Sequence, residues 1–272
     1  MLPFTKMTGI GNDYVYIDAF RHRVAAPGKL AIAMSERHFG VGSDGLVLIL
    51  PSRRAECRMR MFNADGSEAE MCGNAIRCVA KYVYDRKLVR KTAFRVETAC
   101  GIKPIRLVVR GGRMVSATVD MGVPILEPAR IPVAARTNRI RLGGLAWTCV
   151  SMGNPHAVTF VKSVASAPVL TKGPAFEIAP VFPRRCNIEF AEVVSRRLIR
   201  MRVWERGAGE TLACGTGACA TAVAGVLNGL TDREVDVELT GGRLHIAWRE
   251  ADGRVLMTGG AEFVFDGVWL KG

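Results

Sequence analysis

The chain has no apolar run near the roughly 18 to 20 residues needed to cross a bilayer as a helix. It carries no basic segment followed by a long apolar one at Met1-Leu2-Pro3-Phe4-Thr5-Lys6, so no secretory leader is expected and the reading is cytoplasmic. Eight cysteines are present, at 57, 72, 78, 100, 149, 186, 214 and 219. None forms the two-residue-spaced pair of a zinc knuckle or a thioredoxin-like site, so no metal site is expected. There is no Lys-Ser/Thr ending of a phosphate loop, no dinucleotide fingerprint and no low-complexity linker. The balance of 38 basic to 25 acidic residues gives a net charge of +13. The arginines are scattered, and no aromatic residues interleave with them as a stacking platform would require. A solvated basic surface is the expectation, with neither nucleic acid nor membrane as partner.

What the chain does have is a repeated motif. Met71-Cys72-Gly73-Asn74-Ala75-Ile76-Arg77 and Ala213-Cys214-Gly215-Thr216-Gly217-Ala218 each open an apolar stretch. The cysteines are 142 positions apart (214 − 72), about half of the 272 residues, and a Glu lies four residues before each, at 68 and 210. The N–H groups of a helix start are unpaired and carry partial positive charge. Such a start is expected to lower a thiol's pKa from its usual ~8.5, and its N–H groups can hold a carboxylate. Two such starts could therefore bind one amino acid and put a sulfur on each side of its α-carbon. Inverting that carbon needs one group to take a proton from one face and another to return one to the opposite face. Cys78, Cys149 and Cys219 sit among apolar residues and read as core.

Short strands separated by turns dominate the pattern. The first half offers 14–17, 45–50, 94–98, 105–109 and 115–121. The second offers 156–161, 188–194, 198–203, 235–239, 244–248, 255–257 and 262–265. Helices are few: 29–37, one after Cys72 with Ile76, Val79, Ala80 and Val83 on one face, and one after Cys214. The last is apolar nearly all round, which predicts burial on every side and a sheet curled about it. The fold class expected is α+β, with two pseudo-symmetric domains, each a curled, mostly antiparallel sheet around a central helix. The domains are placed at 1–119 with the tail 265–272, and at 120–264, with the ligand in a cleft between them.

Several loops are more polar than their neighbours: Gly11-Asn12-Asp13, Phe62-Asn63-Ala64-Asp65-Gly66-Ser67, Ser151-Met152-Gly153-Asn154-Pro155-His156, Cys186-Asn187 and Trp204-Glu205-Arg206-Gly207-Ala208-Gly209. These, with Lys6-Met7-Thr8-Gly9-Ile10 and the two Cys-Gly segments, resemble the diaminopimelate epimerase family over essentially the whole chain. The resemblance implies a cofactor-independent two-base conversion of LL-diaminopimelate to the meso form, serving lysine and cell-wall precursor synthesis, in a homodimer.

By the same likeness Cys72 and Cys214 are the bases. Gly73, Asn74, Gly215 and Thr216 present N–H groups to the carboxylate at the reacting centre. Glu205 holds the reacting amine and, with His156, sets thiol protonation. Asn12 lies beside that centre, and Asn63, Asn154, Asn187 and Arg206 grip the distant end of the substrate. An Arg fork on a carboxylate suits that task. Two departures stand out: Gly45 occupies a loop where some members carry Gln, and Ala75 stands where many have Gly. A racemase of another amino acid is the alternative, and the distal set Asn63, Asn154, Asn187 and Arg206 argues against it. The related phenazine-pathway isomerases lack the cysteine pair.

Overall fold

A computed structural model of the chain describes residues 1–69 and 71–270. The chain divides into two compact units, Met1–Val119 together with the stretch from Gly259 onward, and Asp120–Thr258.

The first unit is built on a mixed sheet. Its strands are β1 (Leu2–Gly9), β2 (Asn12–Asp18), β3 (Gly45–Leu50), β4 (Cys57–Asn63), the short β5 (Glu68–Ala69), β6 (Ala93–Thr98), β7 (Gly101–Arg110) and β8 (Arg113–Gly122). The C-terminal strand, numbered β18 (Glu262–Trp269), joins them. Their order is β18-β1-β2-β3-β4-β6-β7-β8, with β5 beside β4. All neighbours are antiparallel except β2/β3 and β4/β6. A parallel pair cannot be joined by a tight hairpin, because the chain must cross over, usually through a helix. Here α1 (Pro27–Ser35) makes the first crossover and α2 (Gly73–Asp85) the second.

The second unit repeats the scheme. Its strands are β9 (Arg139–Leu142), β10 (Leu145–Ser151), β11 (Pro155–Phe160), β12 (Asn187–Ser195), β13 (Leu198–Glu205), β14 (Gly209–Thr211), β15 (Glu234–Leu239), β16 (Gly242–Trp248) and β17 (Val255–Gly259). They run β9-β10-β11-β12-β13-β15-β16-β17, with β14 beside β13. The parallel pairs fall at the same two places, β11/β12 and β13/β15. The crossovers are α3 (Val169–Glu177) and α4 (Gly215–Leu227).

The 142-residue spacing of the cysteines extends well beyond them. Helices α1 and α3 begin at 27 and 169, and α2 and α4 at 73 and 215, with equal lengths in each pair. Leu46 pairs with Val15 and Phe62, and its counterpart Ile188 pairs with Ala157 and Trp204 at the same offset. From Asn12 to Asp85 and from Asn154 to Leu227 the two halves therefore run in register. The edge strand differs. In the second unit β9 immediately precedes β10, whereas in the first the same place beside β1 is filled by β18 from the end of the chain.

In the second unit α4 packs against β10, β11, β12, β13, β15 and β16, so the sheet does wrap around it. Ten of its residues, Gly215 and Gly217–Gly225, are buried, and alternating alanines let the strands approach closely. The opposite side of this sheet carries α3, whose Phe176 packs in one core with Trp147 and Phe190. These rings meet edge to face at centroid distances of 5.3 and 5.6 Å, a geometry worth about 0.5–1.5 kcal/mol per pair beyond burial. In the first unit α2 packs on β1 and β2, and α1 lies on β3 and β4 over Val15, Ile17, Met34, Leu46 and Leu48. Unlike α4, α2 is amphipathic: Ile76, Val79, Ala80 and Val83 are buried, and on another face Lys81 pairs with Asp85 at 3.0 Å and donates to the Met114 carbonyl at 2.6 Å.

Three expectations shift. Helix α1 spans Pro27–Ser35 rather than 29–37, because Pro27 supplies the fixed φ of a first helical turn. Helix α3 had no counterpart in the sequence reading, since Gly173 and Pro174 in its interior read as a break. The return to the first unit falls at Gly259 rather than 265, because β18 pairs with β1 from Glu262↔Thr8 to Trp269↔Leu2. Residues 271–272 of the expected tail lie outside the described residues. No helix among the described residues is long and apolar enough to cross a membrane.

Gly45 begins β3 at a close crossing: a Cβ there would strike the Phe62 carbonyl oxygen and come within 2.8 Å of the Tyr14 ring. Backbone cannot yield as a flexible side chain can, so this chain has no room for a side chain at position 45. Gly45→Ala should lower unfolding free energy by about 1–3 kcal/mol, read as a lower urea midpoint with an unchanged slope; an unaltered midpoint would contradict the close crossing.

Candidate active site

Each cysteine is the residue just before its helix. Cys72 has extended backbone, φ −130° and ψ 126°, and Cys214 the same, φ −124° and ψ 107°. Their carbonyls accept the first helical hydrogen bonds, from Ile76 N at 3.0 Å and Ala218 N at 2.9 Å. The Glu four residues before each cysteine has a structural task. Arg60 donates Nε and Nη2 to the Glu68 carboxylate, both at 2.8 Å. Arg202 grips Glu210 in the same fork, at 2.7 and 3.0 Å. Each pair spans the hairpin that delivers the chain to its helix, and the four residues obey the 142 offset. Arg60 also holds the Glu68 carboxyl below the usual carboxylate range.

In the first unit the Cys72 thiol donates to Asn12 Oδ1 at 3.4 Å. Asn12 is oriented by Asp44, whose Oδ2 accepts from Asn12 Nδ2 at 2.7 Å and from the Asp13 amide at 3.0 Å. Asp13 is in turn paired with Lys6. Burial pushes the Asp44 carboxyl up. Asn74 is buried, and its Oδ1 accepts from Arg77 Nη2 at 3.0 Å. Arg77, fully buried, also donates Nη1 to the Gly73 carbonyl at 2.8 Å and Nε to the Gly260 carbonyl at 3.1 Å. A guanidinium thus pins the first turn of α2. Asn63 bonds Ser67 Oγ at 3.0 Å, which steadies the loop before the cysteine.

The second unit gathers more charge. His156 is fully buried on β11, with Nδ1 2.6 Å from Glu189 Oε1 and Nε2 3.0 Å from Asn154 Oδ1. Asn154 Nδ2 donates to Thr216 Oγ1 at 3.3 Å, and that hydroxyl lies 3.6 Å from Cys214 Sγ. Thr211 holds Glu205 by a hydroxyl–carboxylate hydrogen bond. Glu189 Oε1 lies against the first turn of α4, where a Cβ on Gly217 would come within 2.9 Å of it. Asn187 donates Nδ2 to the Pro155 carbonyl at 2.8 Å and accepts from the Arg206 amide at 2.9 Å. Among the described residues these bonds use one of the two Asn187 amide hydrogens. Arg206 is exposed, with Nη1 on the Arg184 carbonyl at 3.3 Å.

The helix start does not lower the Cys214 thiol. Burial, then the charges of Glu205 and Glu189, push it well above its ordinary value, with a hydrogen bond to Glu205 acting in the same direction and Thr216 opposing. At a 4% exposed position the desolvation of a thiolate outweighs half a charge of helix dipole. Such a thiol keeps its proton until a base takes it, and its thiolate is a strong base in turn.

Within the first unit, then, Asn12, Cys72, Gly73 and Asn74 meet at the start of α2, while Asn63 is tied by Ser67 to the loop ahead of it. Within the second, Asn154, His156, Asn187, Glu205, Arg206, Cys214, Gly215 and Thr216 cluster at one end of α4. Sequence reasoning passed over Glu189, Asp44, Thr211 and Arg77. Glu189 had one signal, an acid in the middle of the apolar strand Ile188-Glu189-Phe190.

Two sheets of this pattern, each crossed by a thirteen-residue helix, define a two-domain α+β fold class. A probable proline racemase from Agrobacterium radiobacter shares the fold, with a TM-score of 0.75 at 14% identity over 100% of this chain and 94% of that one. A phenazine biosynthesis protein of the PhzF family from Bacillus anthracis does so with a TM-score of 0.74 at 18% identity, covering 98% of both. At such identities the likeness is one of fold.

The chain belongs to the diaminopimelate epimerase family, whose model matches residues 4–127 and 148–264. It is 59% identical to the diaminopimelate epimerase of Desulfovibrio desulfuricans, over 98% of this chain and 97% of the relative. Identity is 56% to that of Acetivibrio thermocellus, over 98% of both, and 51% to that of Methanococcus maripaludis, over 98% and 99%.

Of the remaining thiols all but Cys100 are buried. Burial pushes Cys57 and Cys149 up to about 12 and Cys78 up to about 11. The reactive thiolate exists above the pKa and is lost below it, so at pH 8 on the order of one Cys57 in ten thousand is ionised. Iodoacetamide at pH 8, read by peptide mass mapping, should label exposed Cys100 and spare Cys57, Cys78 and Cys149. Labelling of Cys57 at a rate comparable to Cys100 would refute the burial argument.

Proposed function

We propose that the chain epimerises LL-diaminopimelate to the meso form by a two-base reaction, Cys72 and Cys214 acting on opposite faces of one α-carbon. The observation that carries the reading is the doubled Cys-Gly helix start, found in a chain that the family matches across both halves. One cysteine, as thiolate, takes the α-proton and becomes a thiol. The electron pair left on carbon spreads into the adjacent carboxylate. The other cysteine, as thiol, delivers its proton to the opposite face and becomes the thiolate. Proton count and charge balance, and the enzyme ends with its two sulfurs exchanged in state.

The amides of Gly73, Asn74, Gly215 and Thr216 receive the charge that builds on the carboxylate. Preorganised N–H dipoles in a closed site are the largest stabilising factor available to such a carbanion. Glu205, bonded to Cys214, serves as acceptor for the thiol proton and as anchor for the reacting amine, with His156 behind it. Asn12 sits at the Cys72 sulfur. Asn63, Asn154, Asn187 and Arg206 bind the distant amino-acid head, which selects a long, two-headed substrate over a short amino acid. The same reading has a cytoplasmic homodimer that needs neither cofactor nor metal, working in lysine and peptidoglycan precursor synthesis.

Incubation with LL-diaminopimelate in D2O should give the meso isomer with deuterium at the inverted carbon, followed by mass spectrometry and chiral chromatography. Cys72→Ala and Cys214→Ala should each reduce inversion by at least about 10³-fold, because general acid–base catalysis contributes on that scale. A single variant that still inverts at the parental rate would sink the two-base reading.

A further inference from the structure

The two halves carry the same backbone through 12–85 and 154–227, so each position in one has a counterpart that shows what the fold itself requires. At the place of Glu189 the first unit has Val47, fully buried; at the place of His156 it has Tyr14. A valine satisfies that spot in the sheet. A buried carboxylate there is costly unless it is paired, and Glu189 Oε2 has no hydrogen-bond partner among the described residues. The acid therefore serves something other than folding.

Counting hydrogens shows what. Asn154 Nδ2 donates to Thr216 Oγ1, which turns Asn154 Oδ1 toward His156 Nε2. An amide oxygen only accepts, so Nε2 must carry a hydrogen. Nδ1 faces the Glu189 carboxyl at 2.6 Å, a contact that holds one hydrogen; with Glu189 ionised that hydrogen sits on Nδ1. Both ring nitrogens are then donors. Thr216 Oγ1, already accepting from Asn154, has its own hydrogen free for Cys214 Sγ at 3.6 Å. All donations run one way, from the ring to the sulfur, while Glu205 accepts at the sulfur from the other side.

We propose that Glu189 is a positioning residue that holds His156 doubly protonated and, through Asn154 and Thr216, keeps a hydroxyl hydrogen aimed at Cys214 Sγ. At Cys72 the arrangement differs: Asn12 accepts from the thiol and is itself held by the Asp44 carboxylate. The sulfurs are thus unequal. Cys214 has a donor ready to steady its thiolate, and Cys72 has an acceptor that suits its thiol. The assignment adds to the two-base reading and depends on it only where rates are measured.

The test is long-range 1H–15N spectroscopy of the full-length chain labelled at histidine, at pH 7.5. His156 is assigned by its loss in His156→Asn among the four histidines. The expected result is the signature of two protonated ring nitrogens for His156, converted to that of a singly protonated ring by Glu189→Gln. Turnover of diaminopimelate by that variant should fall about ten- to a hundredfold in kcat, with KM within about threefold and the thermal melt retained. Glu189→Val, the residue native to the other half, provides a second fold-compatible variant and should give the same spectrum. A singly protonated His156 in the unmodified chain overturns the proposal, as does a Glu189→Gln protein whose spectrum and kcat match the parent. A doubly protonated ring in a chain that fails to invert diaminopimelate would leave the assignment standing and remove the epimerase reading instead.

Discussion

The constraint on which the rest depends is the parallel pairing of β4 with β6 and of β13 with β15. Strands so paired cannot follow one another through a hairpin, and the chain must leave one end of the sheet and travel back along its face. In both halves it does so as a thirteen-residue helix whose start lies just past a short hairpin arm. That start is where backbone N–H groups are unpaired, and it is where each cysteine sits. The chemistry is therefore placed by topology. The Arg60–Glu68 and Arg202–Glu210 forks close the hairpin arms and so set the angle at which each helix is entered.

The repetition of scaffold makes the differences informative. Glycine follows both cysteines, and Asn12 and Asn154 occupy one place in the two halves, each within reach of its own cysteine or the residue beside it. Asn63 and Glu205 share another place, nine residues before the cysteine. Around the shared places the surroundings diverge: Val47 against Glu189, Tyr14 against His156, Gly45 against Asn187. The common backbone supplies two similar electrophilic helix ends. The unshared side chains concentrate charge and hydrogen-bonding groups in the second half.

Much of this was legible in the sequence, for identifiable reasons. The apolar, alanine-rich stretch after Cys214 has no polar face to expose, so its burial under a wrapped sheet followed directly. The polar loops stood out because asparagines cluster at strand ends, where turns alone require fewer of them. Other features were hidden by local signals that tertiary structure overrides. Gly173-Pro174 disguised α3, yet the helix forms around them: Pro174 gives up one backbone hydrogen bond in its interior, and Trp204 needs the bare Gly173 against it. β4 escaped because alternating arginine and methionine, Arg58-Met59-Arg60-Met61, carries weak strand preference. The sign of the Cys214 shift was misjudged for a different reason. A helix start can be seen in a sequence, but the depth of burial and two carboxylates from distant strands cannot.

The placement of β18 bears on the order in which the molecule can come together during synthesis. The second half closes with strands contiguous in the chain, from β9 to β17, and can complete its sheet as soon as they emerge. The first half, although made earlier, lacks the partner of β1 until the last strand arrives from beyond residue 259. Until then β1 presents an open edge with apolar flanks, Met7 and Phe4 among them. The older half thus depends for its edge on residues made after the strands of the younger half.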